Sequence, residues 1–239
     1  MPGFDVRVVD DSGSEVPAGT MGNVVLAMPF APTGFTTLFN DEERFYKSYL
    51  ARFNGKWLDT GDAGMVDESG YVHIMSRSDD VINVAAHRFS TGALEQAILS
   101  HPDIAEASVV GIPDSLKGHL PFAFIHLRQS ALPSSSSSVS ATPSVELVKS
   151  LDGLVREQIG AIASLGGVIQ GTSIIPKTRS GKTLRRVLRE LVENASEGKF
   201  EAEVNVPPTV EDAGVVKTAK EKIREYFVEK NGRVGQPKL

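Results

Sequence analysis

Turn-forming residues interrupt the opening third of the chain so often that only short strands and one short helix fit between them. Asp-Ser-Gly at 11–13 and Pro-Ala-Gly at 17–19 close two turns, and Asp-Thr-Gly-Asp at 59–62 forms a third. An acidic first turn favours a helix over residues 41–53. The pattern predicts a β-rich unit over residues 1–78 that is too small and too rich in turns to form a complete domain.

The rest of the chain, residues 79–239, alternates apolar strand-like runs with segments of helical period. The predicted strands are 81–84, 107–112, 122–127 and 171–175; the predicted helices are one capped by Thr91, then 145–159, 183–194 and 215–230. Residues 130–144 consist largely of Ser, Pro, Ala and Thr, which predicts a disordered insertion. We therefore expect an α+β fold in which a β-rich unit is followed by a small mixed sheet covered by helices.

Composition excludes several classes of protein. The 239 residues carry a formal charge of −5, which gives no reason to expect nucleic acid or an anionic membrane as a partner. There is no cysteine, and the five histidines are scattered, so we expect no disulfide and no metal site. The N-terminus has no signal-peptide pattern, and the chain ends Pro-Lys-Leu, close to a peroxisomal address. We expect a cytoplasmic protein, with a peroxisome or mitochondrion as alternatives.

The most specific string is Pro-Lys-Thr-Arg-Ser-Gly-Lys-Thr at 176–183. A lysine beside a glycine, on a polar loop that opens a helix, can present a mobile cation to phosphate. The Gly-Lys-Thr ending suggests a phosphate-binding P-loop, but Pro176 stands where that motif requires glycine. Composition alone would favour a solvated basic loop without a function.

Three further strings occur in the order typical of one family. Trp-Leu-Asp-Thr-Gly-Asp at 57–62 and Ser-Arg-Ser-Asp-Asp-Val-Ile-Asn-Val at 76–84 precede the lysine loop, and Val-Pro-Pro-Thr-Val-Glu-Asp at 206–212 follows it. Together with 176–183, these strings resemble the adenylate-forming superfamily, and in particular its acetyl- and propionyl-CoA synthetases. The resemblance covers nearly the whole chain apart from the serine-rich segment and the last few residues.

The resemblance implies roles for five residues. Lys182 would be the catalytic lysine, a compact charge that stabilises the α-phosphate while pyrophosphate leaves; its acetylation would remove that charge. Asp62 would accept hydrogen bonds from the ribose hydroxyls of ATP or AMP, although a turn-stabilising role is the alternative. Arg77 and Arg88 would lie near the nucleotide, and Asp79 would be the hinge about which a mobile C-terminal domain rotates. A solvated charge is the alternative for Arg77, and an ordinary turn residue for Asp79.

The resemblance also implies a coenzyme A site. The pantetheine arm would pass Ala85 and Ala86, and Arg156 would lie near the 3′-phosphate, with a solvated helix charge as the alternative. The family usually has glycine at the position of Ala86, so the methyl group would narrow the tunnel and weaken thioester formation. Ser76 replaces the usual hinge glycine, which would stiffen the rotation.

The family's main phosphate-binding loop, adenine-stacking aromatic residue, magnesium-binding glutamate and acyl pocket do not occur in this sequence. Residues 1–78 would therefore be a remnant of the AMP-binding domain, and residues 79–239 its C-terminal domain. Whether the chain is itself an enzyme stays open. We expect part of a short-chain acyl-CoA synthetase using ATP, CoA and Mg²⁺, inactive without a missing N-terminal domain, with propionate slightly ahead of acetate. The alternative is a free-standing, non-catalytic module that binds a protein partner or a nucleotide.

Overall fold

The chain divides into two compact units, Met1–Val81 and Ile82–Leu239. The structure is a computed structural model that describes residues 3–85, 87–131 and 140–234. The division falls three residues after the boundary at 78 that the sequence suggests. Within the described residues, no helix is long and apolar enough to cross a membrane.

The first unit is built on a four-stranded antiparallel sheet. Its strands are β1 (Val6–Val9), β2 (Gly22–Ala27), β3 (Trp57–Val66) and β4 (Val72–Arg77), in that spatial order. Irregularities interrupt the pairing of β3 with both of its neighbours, after Val24 on β2 and after Ala63 on β3 itself. Such bulges bend a strand and redirect its side chains. Here the first contains Thr60 and Gly61, and the second lies just after Asp62, between Ala63 and Gly64.

A helical segment connects β2 to β3. It consists of α1 (Glu42–Phe45), a π-turn (Tyr46–Leu50) and a 3₁₀ turn (Ala51–Phe53), as the acidic start at residues 42–43 predicts. Phe53 packs with Trp57 and with strand residues Val9 and Val25 into a small apolar core. The indole N–H of Trp57 donates to the carbonyl of Gly13, so the buried ring leaves no polar atom unsatisfied.

The second unit is a five-stranded mixed sheet. The strands are β5 (Val81–Val84), β6 (His87–Ser90), β7 (Ile104–Asp114), β8 (Gly118–Leu127) and β9 (Gly167–Gln170). Strands β6, β5, β8 and β7 lie side by side, and β9 joins β8 in parallel. Strand β8 is the centre of the sheet, because it pairs with β5, with β9 and, in a long hairpin, with β7.

Helices cover both faces of this sheet, which explains the continuous apolar run in β8. Alternate residues of β8 belong to two cores: Phe122 and Phe124 pack with one, and Ala123 and Ile125 with the other. The first core holds α4 (Arg185–Ser196) and α5 (Ala213–Val234); the second holds α2 (Thr91–Leu99) and α3 (Val145–Gln158). The α+β fold with a helix-covered mixed sheet is confirmed.

Four local predictions are wrong. The turn expected at 59–62 is instead part of strand β3, where the pairing with β2 is irregular. The strand expected at 171–175 is instead β9 at Gly167–Gln170, because Ile174 and Ile175 are buried in an irregular segment and not in a ladder. The cap of α2 is Ser90, whose hydroxyl accepts the amide of Ala93, while Thr91 is the first helical residue.

The expectation of disorder over 130–144 also fails at the described end of that segment. Ala141 is fully buried, and its amide donates to Glu225 at 2.9 Å. Ser144 caps α3 by accepting the amide of Leu147. Residues 132–139, which include the serine run at 134–138, lie outside the described residues.

Candidate functional site

Lys182 directly follows the three-residue loop of a hairpin. The amide of Thr178 donates to the carbonyl of Lys182 at 2.8 Å, and the amide of Gly181 donates back to the carbonyl of Thr178. Gly181 has a φ of +80°, so the hairpin ends on a left-handed residue of the kind that closes a type I turn with a bulge. A Cβ there would meet no atom within 4 Å, so glycine is required by its backbone torsion rather than by space.

Side chains within the hairpin fix its conformation further. The hydroxyl of Thr178 accepts the amide of Lys182 at 3.1 Å and lies 3.0 Å from the hydroxyl of Ser180. The backbone N–H of Lys182 is therefore satisfied inside the loop. This explains why small hydroxyl residues suit positions 178 and 180.

A second segment pairs with the outer side of the hairpin. Thr178 forms an isolated bridge with Val210, the amide of Arg179 donates to Thr209, and the amide of Glu211 donates to the carbonyl of Lys177. Residues 209–211 thus run alongside residues 177–179 of the lysine hairpin, with one isolated bridge and two further backbone hydrogen bonds. The sequence gives residues 206–212 no structural role beyond the family resemblance, whereas the structure shows that this segment supports the hairpin.

A buried ion pair anchors the helix that follows. Arg185, the first residue of α4, donates to both carboxylate oxygens of Glu95 on α2, at 3.0 and 2.7 Å. The same carboxylate accepts the amide of Val109 on β7. Because three elements meet at one buried carboxylate, the start of α4 is fixed three residues after Lys182. No sequence signal linked these positions, which are 90 residues apart.

The backbone of Lys182 is held by hydrogen bonds, whereas its side chain is not. Its residue is exposed, and its ammonium group makes no hydrogen bond or ion pair with any residue that the structure describes. By contrast, Lys177 on the same hairpin contacts Glu106 at 2.6 Å. The hairpin therefore holds one cation in place and presents the other on a flexible stem.

Asp62 and Arg77 lie opposite each other on β3 and β4 of the first unit. Their charged groups are 3.1 Å apart, and both side chains reach solvent. Gly61 has a φ of +72°, and a Cβ there would stand 2.6 Å from the Arg77 guanidinium, so this glycine leaves room for the arginine. Arg77 also donates to the carbonyl of Thr60. The arrangement orients a carboxylate and a forked donor at the same surface.

The predicted hinge and coenzyme residues occupy separate positions. Asp79 lies in the 3₁₀ turn Ser78–Asp80, two residues before the division between the units. Arg88 lies on β6 and is half-buried. Ala86 lies outside the described residues.

Ala85 adopts a left-handed backbone conformation with a φ of +46°, which is uncommon for a residue with a side chain. Its amide donates to the carbonyl of Lys117 at 2.8 Å. The facing turn is held by Asp114, whose carboxylate accepts the amides of Lys117 and Leu116; these hydrogen bonds lower the pKa of Asp114. The turn at Ala85 is thus a defined structure, with its alanine exposed.

Arg156 is near the end of α3 and forms an ion pair with Asp152 one turn earlier, at 2.7 Å. The other carboxylate oxygen of Asp152 accepts the amide of Leu165. Arg156 is half-exposed in this pair. A phosphate ligand would have to compete with Asp152 for the guanidinium.

A pocket of about 290 Å³ lies in the second unit next to the Lys177–Glu106 pair. Its other polar lining residues are His126, Ser173, Glu211 and Asp212. Among the described residues, no group of three His, Asp or Glu side chains could hold a metal ion. The structure thus pairs Asp62 with Arg77 and places the Lys182 hairpin against residues 209–211. Arg88, Ala85 and Arg156 lie on separate elements.

The site and fold agree with known proteins. Residues 93–182 match the family described as AMP-binding enzyme C-terminal domain. The chain is 39% identical over 232 residues to the acetyl-coenzyme A synthetase of Pyrobaculum arsenaticum, matching 97% of this chain and 32% of the relative. It is also 39% identical to the mitochondrial acyl-CoA synthetase short-chain family member 3 of Mus musculus, over 90% of this chain and 29% of that protein.

Among solved structures, acetoacetyl-CoA synthetase from Streptomyces lividans shares the fold with a TM-score of 0.72 at 24% identity, covering 93% of this chain and 31% of that one. These matches define the C-terminal region of an adenylate-forming enzyme. More particularly, the chain belongs to the acyl-CoA synthetases and corresponds to their C-terminal portion. It spans about a third of the length of the curated relatives it matches.

Proposed function

We propose that this chain is the lysine-bearing part of a short-chain acyl-CoA synthetase, and that it delivers Lys182 to a nucleotide in the first half-reaction. There a carboxylate oxygen attacks the α-phosphorus of ATP, the bond to the β-phosphate oxygen breaks, and pyrophosphate leaves. The observation that carries the proposal is the contrast at position 182: a backbone held by two hydrogen bonds to Thr178 and an ammonium group that is exposed and unpaired among the described residues.

The chemistry requires such a cation. Two anions approach each other, and negative charge builds on the phosphate oxygens as pyrophosphate departs. A positioned donor for that charge typically contributes about 10²–10³ in rate. Lys182 matches this role because a compact charge on a four-carbon stem can enter a narrow space between two anions.

Asp62 and Arg77 are proposed to bind the nucleotide. The Asp62 carboxylate offers two acceptors to a ribose diol, and the Arg77 fork beside it suits phosphate oxygens. Binding would replace some of their mutual contact, which is weak in solvent. Asp79, in the turn before the second unit, is proposed as the hinge.

For the second half-reaction, the sulfur of coenzyme A attacks the acyl carbon and AMP leaves. We propose that the pantetheine arm passes Ala85 and Ala86, with Arg88 near the phosphates and Arg156 available to the 3′-phosphate. The Asp152 contact predicts that Arg156 contributes modestly. By the family resemblance, Mg²⁺ would be held by a glutamate whose motif does not occur in this sequence.

The relatives named acetyl-coenzyme A synthetase favour acetate over propionate as the acyl substrate. Because the chain spans about a third of such relatives, we expect the purified chain alone to form no AMP from ATP and acetate. Robust acid-dependent turnover by the isolated chain would contradict this part of the proposal. The cytoplasm is the proposed compartment, with the mitochondrion suggested by the name of the mouse relative.

The test is a chimera in which this chain replaces the matching third of the Pyrobaculum arsenaticum enzyme. Lys182→Ala should lower acetate-dependent ATP–pyrophosphate exchange about 10²–10³-fold and affect thioester formation from supplied acetyl-adenylate far less. Lys217→Ala, which removes an exposed lysine from α5, is the matched control and should leave both rates unchanged. Equal losses in the two half-reactions for Lys182→Ala would count against its assigned role.

A further inference from the structure

The Asp-Thr-Gly-Asp sequence at 59–62 forms a bulge in β3. Two consecutive residues of β2 pair with Asp62 and Asp59, so the two residues between these aspartates are additional on β3. Bulges beside functional sites commonly redirect a side chain. This bulge ends at Asp62, the carboxylate proposed to bind the nucleotide, so the groups that hold the bulge also hold the backbone of that carboxylate.

Two side chains inside the bulge fix its backbone. The carboxylate of Asp59 accepts the amide of Gly61 at 2.9 Å. The hydroxyl of Thr60 donates to the carbonyl of Val24 on β2 at 2.7 Å and accepts the amide of Asp62 at 3.2 Å. Short polar side chains that bond to the amide two residues further on stabilise backbone that has left the regular ladder. The backbone at Asp62 is therefore held by residues 59 and 60 as well as by the sheet.

Arg52, in turn, orients the carboxylate of Asp59. One nitrogen of its guanidinium donates to the second oxygen of Asp59 at 3.1 Å, and the Asp59 side chain is only 13% exposed. The other terminal nitrogen donates to Asn23 on β2 and to Asp11, at 3.0 and 3.1 Å. Asn23 is buried, and its own side-chain amide donates to Asp11. Because three partners fix this forked cation, the carboxylate of Asp59 has little freedom to rotate.

We propose that Asp59 and Arg52 are positioning residues for nucleotide binding, which hold the bulge in the conformation that presents the Asp62 carboxylate to a ribose diol. Arg77 depends on the same backbone, because it donates to Asp62 at 3.1 Å and to the carbonyl of Thr60 at 3.3 Å. Relaxation of the bulge would therefore displace the carboxylate and the arginine beside it together. The inference rests on the proposed function for the ribose-binding role of Asp62.

Asp67, just after the other end of β3, provides a matched control. Its carboxylate accepts two backbone amides at 2.9 Å and contacts His73 at 2.8 Å. Asp59 and Asp67 thus make the same kinds of contact, with backbone amide and a basic side chain, in the same sheet. If Asp59 only stabilises the sheet, the two alanine variants should behave alike. If Asp59 positions Asp62, only Asp59→Ala should alter the nucleotide site.

Hydrogen exchange in the full chain, followed by nuclear magnetic resonance, tests whether the bulge depends on Asp59. In Asp59→Ala the amide of Gly61 loses its acceptor and should exchange about tenfold faster, and the amide of Asp62 should also exchange faster because the bulge relaxes. Asp67→Ala should leave both rates unchanged. Equal acceleration by the two substitutions, or none by Asp59→Ala, would overturn the inference.

The preference for ATP over 2′-deoxyATP tests whether the bulge positions Asp62. It is measured as the ratio of dissociation constants by calorimetric titration of the chimera that contains this chain. The deoxynucleotide lacks a hydroxyl that Asp62 is proposed to accept, so Asp62→Ala should lower the preference about tenfold. Asp59→Ala and Arg52→Ala should each lower it about threefold. Asp59→Asn should recover part of the loss, because its amide oxygen can still accept the Gly61 amide, and Asp67→Ala should have no effect.

A double variant separates positioning from an independent contribution. Asp59→Ala/Asp62→Ala should show the same preference as Asp62→Ala, because a positioning residue then has nothing left to position. A preference that Asp59→Ala leaves unchanged, or a double variant with a lower preference than Asp62→Ala, would overturn the inference.

Failure of this inference is distinguishable from failure of the proposed function. If Asp62→Ala does not change the preference, the ribose-binding role of Asp62 is rejected and the inference is rejected with it. If Asp62→Ala lowers the preference and Asp59→Ala does not, the inference alone is rejected. Neither result depends on Lys182, because the titration measures binding and not turnover.

Discussion

Removing the carboxylate of Glu95 should weaken the second unit more than removing any comparable surface charge. Glu95 has a side chain only 11% exposed, and its partner Arg185 is 24% exposed. The carboxylate also accepts the amide of Val109 at 2.9 Å. Glu95→Ala therefore leaves a mostly buried guanidinium without this counter-charge and a backbone N–H without this acceptor.

The magnitude follows from those contacts. Breaking a buried ion pair by removing one partner costs about 3–5 kcal/mol, and the partial exposure of Arg185 places this pair at the lower end, about 3 kcal/mol. Arg185→Ala should cost about 2 kcal/mol, because the Glu95 carboxylate keeps the Val109 amide. The double variant should lose about 3–4 kcal/mol instead of the sum, which is a coupling energy of about 1–2 kcal/mol.

Urea unfolding followed by circular dichroism at 222 nm reports mainly on the helices of the second unit. With a slope of about 2 kcal/mol per molar urea, Glu95→Ala should lower the midpoint by about 1.5 M. The single tryptophan, Trp57, lies in the first unit and monitors that unit separately. Its fluorescence in the absence of urea should be identical in all four proteins, which would show that the substitutions leave the first unit intact.

The double-mutant cycle tests whether Glu95 and Arg185 stabilise each other. Arg185 makes a further contact, and the cycle cancels contributions from groups outside the pair. If the losses from the single substitutions simply add, the two residues do not stabilise each other. The reasoning that places the start of α4 through Glu95 would then be refuted.

Two other perturbations test the packing. Gly64→Ala should lower the free energy of unfolding by about 3 kcal/mol, because the added Cβ would stand 2.3 Å from the carbonyl oxygen of His73. Gly70→Ala should lower it by only roughly 1 kcal/mol, because Gly70 has a φ of +84° but open space around it. Urea unfolding followed by tryptophan fluorescence measures both losses. Burial raises the pKa of Tyr226 above 10.0, against the opposing effect of a hydrogen bond with the backbone of Val168. The folded state thus favours the neutral phenol, so its contribution is complete below about pH 10 and is lost as the pH rises through the folded-state pKa. Tyr226→Phe should flatten the alkaline decline in melting temperature, and an unchanged decline would refute this assignment.

The sequence predicts well where local pattern decides the structure. The helical period places α3 and α5 within a few residues of their observed bounds, and Gly181 marks the turn that ends at Lys182. It fails where tertiary packing decides. Ile174 and Ile175 have the composition of a strand but fill a core from an irregular segment, since burial does not require ladder hydrogen bonds.

The contacts that organise the candidate site are the least visible in the sequence. Arg185 and Glu95 are 90 residues apart, and nothing in either local pattern links them. The pairing of Asp62 with Arg77 depends on a register that shifts after Ala63, and no periodicity rule locates such an irregularity. Motifs identified the residues, whereas only the fold shows which groups hold them.

The construction of the hairpin restricts how Lys182 could reach a phosphate. The backbone of Lys182 is held by Thr178 within the hairpin, and residues 209–211 bond to the hairpin along one side. Just beyond Lys182, Arg185 ties the start of α4 to Glu95. Opening the loop would break all of these contacts together, so a local loop movement is a costly way to reposition the lysine. Without such an opening, the ammonium group of Lys182 can move only as far as its four-carbon side chain reaches. If the proposed reaction is correct, the larger displacement must therefore come from rotation of the whole second unit, and the 3₁₀ turn at Ser78–Asp80 is the nearest short segment in which a few backbone torsions could provide it.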